Sequence, residues 1–108
     1  MRKMEKCYNG IEYVRVSKPA MIKHIFKAWK NKDKDSLQIG VCMNKQRILY
    51  TVDMYNQIMD KINLYGNVLT ENDCVKYAFN AVTNEVYYYN ANTEYGFTVC
   101  YFIKKGDC

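Results

Sequence analysis

His24 and the five cysteines at positions 7, 42, 74, 100 and 108 are the side chains best suited to nucleophilic or metal chemistry in these 108 residues. A catalytic Cys–His pair needs a thiol and an imidazole that meet in space, and a zinc site needs closely spaced Cys and His ligands. The chain has no Cys-x-x-Cys, and its one histidine stands between Lys23 and Ile25 with no local partner. An odd number of widely spaced cysteines does not suit a disulfide framework. Cys42, Cys74 and Cys100 lie in apolar stretches and read as small core residues. Cys7 and Cys108 read as exposed thiols, so reduced cysteine and a cytoplasmic address are expected. The acid pairs Asp53/Asp60, Glu71/Asp73 and Glu85/Glu94 fall at expected caps and turns, where carboxylates have structural reasons to be. The five glycines are scattered and form no phosphate-cradling loop. No catalytic residue, metal ligand or cofactor is assigned. The expectation is a protein that is not an enzyme.

Charge gives a stronger signal. Residues 1–35 carry ten Lys/Arg against four acids, a balance of +6, whereas residues 36–108 balance at −1. A localised excess makes a field that steers an anionic partner, which an evenly spread charge does not. Four of these lysines, Lys23, Lys27, Lys30 and Lys34, are spaced 4, 3 and 4. At about 100° per residue they would fall within roughly 60° on one helix ridge, able to track phosphates or meet an acidic protein patch. The ordinary alternative is a solvated helix face, since lysine is a good helix former. The ridge also has no arginine, the more specific phosphate reader.

Aromatic residues crowd the other end of the chain: Tyr87, Tyr88, Tyr89, Tyr95, Phe97, Tyr101 and Phe102. Read as strands, this region places Tyr87 and Tyr89 on one face and Tyr88 on the other. A sheet with one core side cannot bury both faces, so Tyr87, Tyr89 and Tyr95 become candidates to anchor a protein interface or stack on bases. Tyrosine also simply favours strands. The run Gly96-Phe97-Thr98-Val99-Cys100-Tyr101-Phe102 resembles the aromatic strand of the RNA-recognition motif at Gly96, Phe97 and Phe102. The motif's basic residue is replaced by Tyr95 and its next aromatic slot by Val99. No second motif strand is found, and this seven-residue resemblance is not adopted.

The elements that would position these residues are legible from periodicity. Ile11–Val16 alternates and follows the turn signal Asn9-Gly10, which predicts a strand. Ser17 and Pro19 open a helix whose apolar face is Ile22, Ile25, Phe26 and Trp29. Residues 37–43 and 47–51 predict two strands joined through Asn44-Lys45-Gln46 as a hairpin. Asp53 caps a second helix with Tyr55, Ile58, Ile62 and Tyr65 on one face and Gly66 past its end. Thr70 with Asp73 opens a third, since Val75, Ala78, Phe79 and Val82 keep helical spacing, although the segment also alternates as a strand would. Val86–Tyr89 and Phe97–Ile103 complete the strands.

The predicted fold is therefore a small single-domain α+β protein. It has a mostly antiparallel sheet of about five strands, two or three helices on one face, and the order β-α-β-β-α-(α)-β-β. With 49% hydrophobic and 25% charged residues the chain is not of disordered type. No stretch approaches the roughly 20 apolar residues of a membrane span, and the charged start has no apolar run behind it, so neither membrane nor secretion is expected. Lys outnumbers Arg 13 to 3, and Asn, Ile and Tyr are abundant, a composition typical of A/T-rich genomes such as those of many phages. The reading is a stoichiometric binding protein, a small regulator or inhibitor that occupies a larger protein or a protein–nucleic-acid complex. Direct binding of nucleic acid or a nucleotide ligand is the alternative, and an enzyme using Cys and His24 a distant third. Oligomeric state is not legible.

Overall fold

The computed structural model describes residues 5–43, 49–90 and 99–107. Strands β1 (Glu5–Tyr8) and β2 (Ile11–Val16) form a hairpin, with Tyr8 opposite Ile11. Its two turn residues, Asn9 at φ 52° and Gly10 at φ 78°, have the paired positive φ that a type I′ turn requires. Helix α1 (Lys18–Lys30) follows directly, the Ser17 hydroxyl accepting from the Ala20 N–H at 3.3 Å and Pro19 sitting in the first turn. Strands β3 (Gln38–Met43) and β4 (Leu49–Asp53) pair antiparallel. Their connection falls outside the described residues. Asp53 ends β4 and caps α2 (Met54–Tyr65) through Tyr55 N–H, and Thr70 caps α3 (Glu71–Asn90) through Asp73 N–H. Strand β5 (Val99–Asp107) comes last but lies at the centre of the sheet, whose order is β1-β2-β5-β3-β4 with every pairing antiparallel.

All three helices pack on one face of this sheet. Ile39, Val41 and Tyr101 on that face meet Met21 and Ile25 of α1, Met54 and Ile58 of α2, and Val75, Ala78 and Phe79 of α3 in one core. Strand alternation sends Tyr13 and Phe102 to the opposite face, where they form a separate small cluster. Both are only 1% exposed, and Tyr101 is buried as well, so the described aromatics of β2 and β5 are not the surplus exposed ones that a one-sided sheet was expected to leave; Tyr50 on edge strand β4 is exposed instead.

The α+β class with helices on one face is as expected, and four of the expected strands are present. The strand expected at Val86–Tyr89 is not: these residues are the final turns of α3. The helical spacing of Val75, Phe79 and Val82 continues through Val86 and Tyr89, and a helix already packed on the sheet overrides the β-preference of three adjacent tyrosines. The expected order lacked β1, a short polar strand with no apolar alternation to announce it. Gly66 stands just past the end of α2, as expected. It is right-handed at φ −59°, and glycine is needed there because a Cβ would stand 2.3 Å from the Ile62 carbonyl oxygen. Cys74 and Cys100 are free, but Cys7 is disulfide-bonded rather than an exposed thiol. An odd count excludes a fully paired framework, not a single bridge. The cytoplasmic expectation loses the support it drew from reduced cysteine. No described helix is long and apolar enough to cross a membrane.

Candidate functional site

Helix α1 has three longitudinal zones. At about 100° per residue, Met21, Ile25 and Ala28 share one line and are buried against the sheet. Ile22, Phe26 and Trp29 share the next and are half-buried. Lys23, Lys27 and Lys30 share the third and are exposed. The apolar arc thus spans roughly 160°, wider than one sheet contact requires. Its outer line turns instead toward α3. The core centre is Met21, Ile25 and Ala28, one residue round from the face expected around Phe26 and Trp29.

Between α1 and α3 this outer line floors an open groove. One part is an apolar pocket of about 200 Å³, lined by Ile22, Ile25 and Phe26 on one side and Val75 and Phe79 on the other, with Lys76 and Asn80 at its lip. Phe26 continues it into a cleft of about 630 Å³, where Lys27, Trp29 and Lys30 face Thr70, Glu71 and Asn72 at the start of α3. The far end is closed by side chains rather than backbone. Trp29 Nε1–H donates to Glu71 Oε1, the indole lies 5.7 Å from the Tyr55 ring, and the Lys34 ammonium sits 4.4 Å over that same ring. Lys23, Lys27, Lys30 and Lys76 form no ion pair among the described residues, in contrast to Lys104, which pairs with Asp35 at 2.6 Å, and Lys105, which pairs with Glu12 at 3.8 Å.

The structure therefore brings three of the four predicted lysines together and removes the fourth. Helix α1 stops at Lys30, Asn31 caps it, and Lys32 at φ 55° turns the chain away, which carries Lys34 off the ridge and onto Tyr55. Tyr87 and Tyr89 belong to the helical backbone of α3, not to a strand, and their side chains lie outside the described residues, as does all of Tyr95. Sequence reasoning missed Phe26 and Trp29 as groove residues, together with Val75, Lys76 and Phe79 across from them. The over-wide apolar arc of α1 was the available signal. Exposed Leu64, Tyr65, Val68 and Tyr77 at the α2–α3 turn were missed too, and there the Tyr65 and Tyr77 rings stack at 5.8 Å.

The candidate reactive groups have structural partners. His24 Nε2 lies 2.7 Å from the Ser36 carbonyl oxygen. The buried Cys74 thiol donates toward Lys61 O at 3.7 Å. Asp33 accepts from both the Ser36 hydroxyl at 2.6 Å and the Ser36 N–H at 3.2 Å, and these bonds hold its carboxyl below its ordinary value. Among the described residues no group of three or more His, Cys, Asp or Glu is placed to hold a metal ion. The chain matches no protein-family model, no curated protein and no solved structure.

Proposed function

We infer that this chain is a non-enzymatic binding protein that acts by stoichiometric occupancy of a larger protein or protein–nucleic-acid complex, as a small regulator or inhibitor, with the α1–α3 groove as its contact surface. One observation carries the reading: an apolar groove lies open between two helices that are otherwise anchored in the core, and unpaired lysines stand along its rim. Half-buried aromatic and aliphatic side chains in a concave site are what protein hot spots are made of, and a basic rim supplies steering and register. The engagement of His24 with Ser36 and of Cys74 with Lys61 favours occupancy over Cys–His chemistry. Direct nucleic-acid binding draws its support from the lysine ridge, and it is weakened because the sheet aromatics Tyr13, Tyr101 and Phe102 are buried and not available to stack on bases, which leaves Tyr50 of β4 as an exposed one.

The test is partner capture by wild type and by Phe26→Glu, with and without nuclease, after circular dichroism has established that the variant is folded. A partner that is retained after nuclease at one-to-one stoichiometry and lost with Phe26→Glu supports the reading. Loss of all binding on nuclease treatment, with a log–log salt slope of about −0.9 per duplex phosphate neutralised, would assign the ridge to nucleic acid instead.

A further inference from the structure

We propose that the outer edge of β4 pairs antiparallel with the β4 edge of a second copy of this chain, joining two five-stranded sheets into one continuous sheet with the helices of both copies on the same face.

The two edges of the sheet are built differently. Strand β1 is four residues long and carries Glu5 and Lys6, charged residues of the kind that discourage edge pairing. Strand β4 reads Leu49-Tyr50-Thr51-Val52-Asp53, with no Lys, Arg, Pro or Gly, and its pairing with β3 runs without a bulge. Tyr50, Thr51 and Asp53 are exposed, Tyr50 at 44%. The residues lining the α1–α3 groove come from α1, Thr70 and α3, so this edge is a separate surface.

The backbone shows which groups face outward. Met54 N–H donates to Leu37 O at 2.9 Å, and that pair continues the β3–β4 register Gln38↔Asp53, Ile39↔Val52 and Val41↔Tyr50. Peptide groups alternate in direction along an antiparallel strand, so those of Tyr50 and Val52 point toward β3 as that of Met54 does. The N–H and C=O of Leu49, Thr51 and Asp53 therefore point away from the sheet. Another extended backbone satisfies such a row in series.

Self-complementarity selects the second copy. A two-fold axis through Thr51 pairs all five residues of the strand: Thr51 exchanges two bonds with its counterpart, and Leu49 does so with Asp53 on either side, about six bonds in all. In that register Tyr50 of each copy stands opposite Val52 of the other, in the closely spaced positions between the bonded pairs. Both residues belong to the helix face, since their β3 partners Val41 and Ile39 lie in the main core. An aromatic against a β-branched residue is a favoured cross-strand pair, as is Thr against Thr. Asp53, the one charge on the strand, falls opposite Leu49 and not opposite its own counterpart. Contact with Val52 covers the Tyr50 ring that a single copy leaves exposed.

The test is sedimentation of the full chain over a range of concentrations, which should show a reversible dimer. Thr51→Pro removes only an outward N–H, so circular dichroism should be unchanged while the dimer dissociation constant rises at least about tenfold. Tyr50→Lys, at an exposed position, should weaken the dimer in the same way. Val52→Pro removes an inward N–H and should lower the melting temperature far more than Thr51→Pro; the reverse order overturns the amide assignment and the proposal with it. Each copy carries a net charge of +5, so added salt should tighten the dimer by screening repulsion. Hydrogen exchange should slow at Thr51 as the dimer forms. A chain that stays monomeric at millimolar concentration, or a dimer unaffected by both Thr51→Pro and Tyr50→Lys, overturns the proposal. A monomer whose Thr51 amide becomes protected only when another protein is bound also overturns it, and gives the edge to a foreign strand. Should both proline variants unfold, Tyr50→Lys decides.

Discussion

Helix α3 meets α2 on one side and α1 on the other, over the same sheet, and only the first junction is closed. At the α2–α3 junction a small, fully buried residue sits on α3: Cys74, whose sulfur reaches the Lys61 carbonyl oxygen. Small side chains let helix backbones approach closely. At the α1–α3 junction the facing side chains are Ile22, Phe26 and Phe79, which hold the axes apart, and the link between the helices at the Trp29 end is made tip to tip through Glu71. Side-chain size at the point of approach thus separates a packed junction from an open groove.

The largest test of this contrast is on the closed side. Ile58, fully buried where α2 meets the sheet and α3, should cost about 2–5 kcal/mol as Ile58→Ala in a urea titration. Next, Cys74→Leu forces the closed junction apart and should cost about 1–3 kcal/mol. A Cys74→Leu variant of wild-type stability would show that small size at that position is incidental. On the open side, half-buried Phe26 should lose only about 1 kcal/mol as Phe26→Ala, roughly half of what full burial contributes, while partner binding is lost. Trp29→Phe removes the donor to Glu71 and should cost about 0.5–1.5 kcal/mol, with no added loss when Glu71→Ala is combined with it, because both changes break the same bond; fully additive losses would show that the two side chains are not coupled.

The smallest effect concerns the turn that ends the lysine ridge. The Asp33 carboxyl is held below its unfolded value by Ser36, so its contribution is present above the unfolded value of about 3.9 and disappears as pH falls through the folded one. Melting temperature against pH should therefore show a slightly shallower acid limb for Asp33→Asn. Identical limbs would mean the Ser36 contacts do not persist in solution.

Local signals were readable and long-range ones were not. Ser17, Asp53 and Thr70 announced their helices because a cap acts within three residues, and the β3–β4 hairpin followed from two neighbouring runs. Tyr87, Tyr88 and Tyr89 misled because intrinsic β-preference was weighed without the helical register running in from Val75. Lys23, Lys27 and Lys30 were found as a ridge, but the groove beside them was not. A groove is a relation between two helices, and periodicity describes one helix at a time. Lys34 failed for a related reason: the stripe was extended past Asn31 and Lys32, where the backbone leaves the helix.

The central place of β5 has a kinetic consequence. The β1–β2 and β3–β4 hairpins close locally, but they share no edge, and only β5 joins them, pairing Val14 and Ile39 on either side of Ile103. Until residues 99–107 are available, the two hairpins have no common floor on which the helices can bury Met21, Ile58 and Phe79. Such distant pairings pay loop closure before they are rewarded, which slows folding relative to a helix bundle of equal length. A chain leaving the ribosome therefore carries unpaired strand edges on β2 and β3 until β5 emerges, and through that interval those edges are open to aggregation and proteolysis.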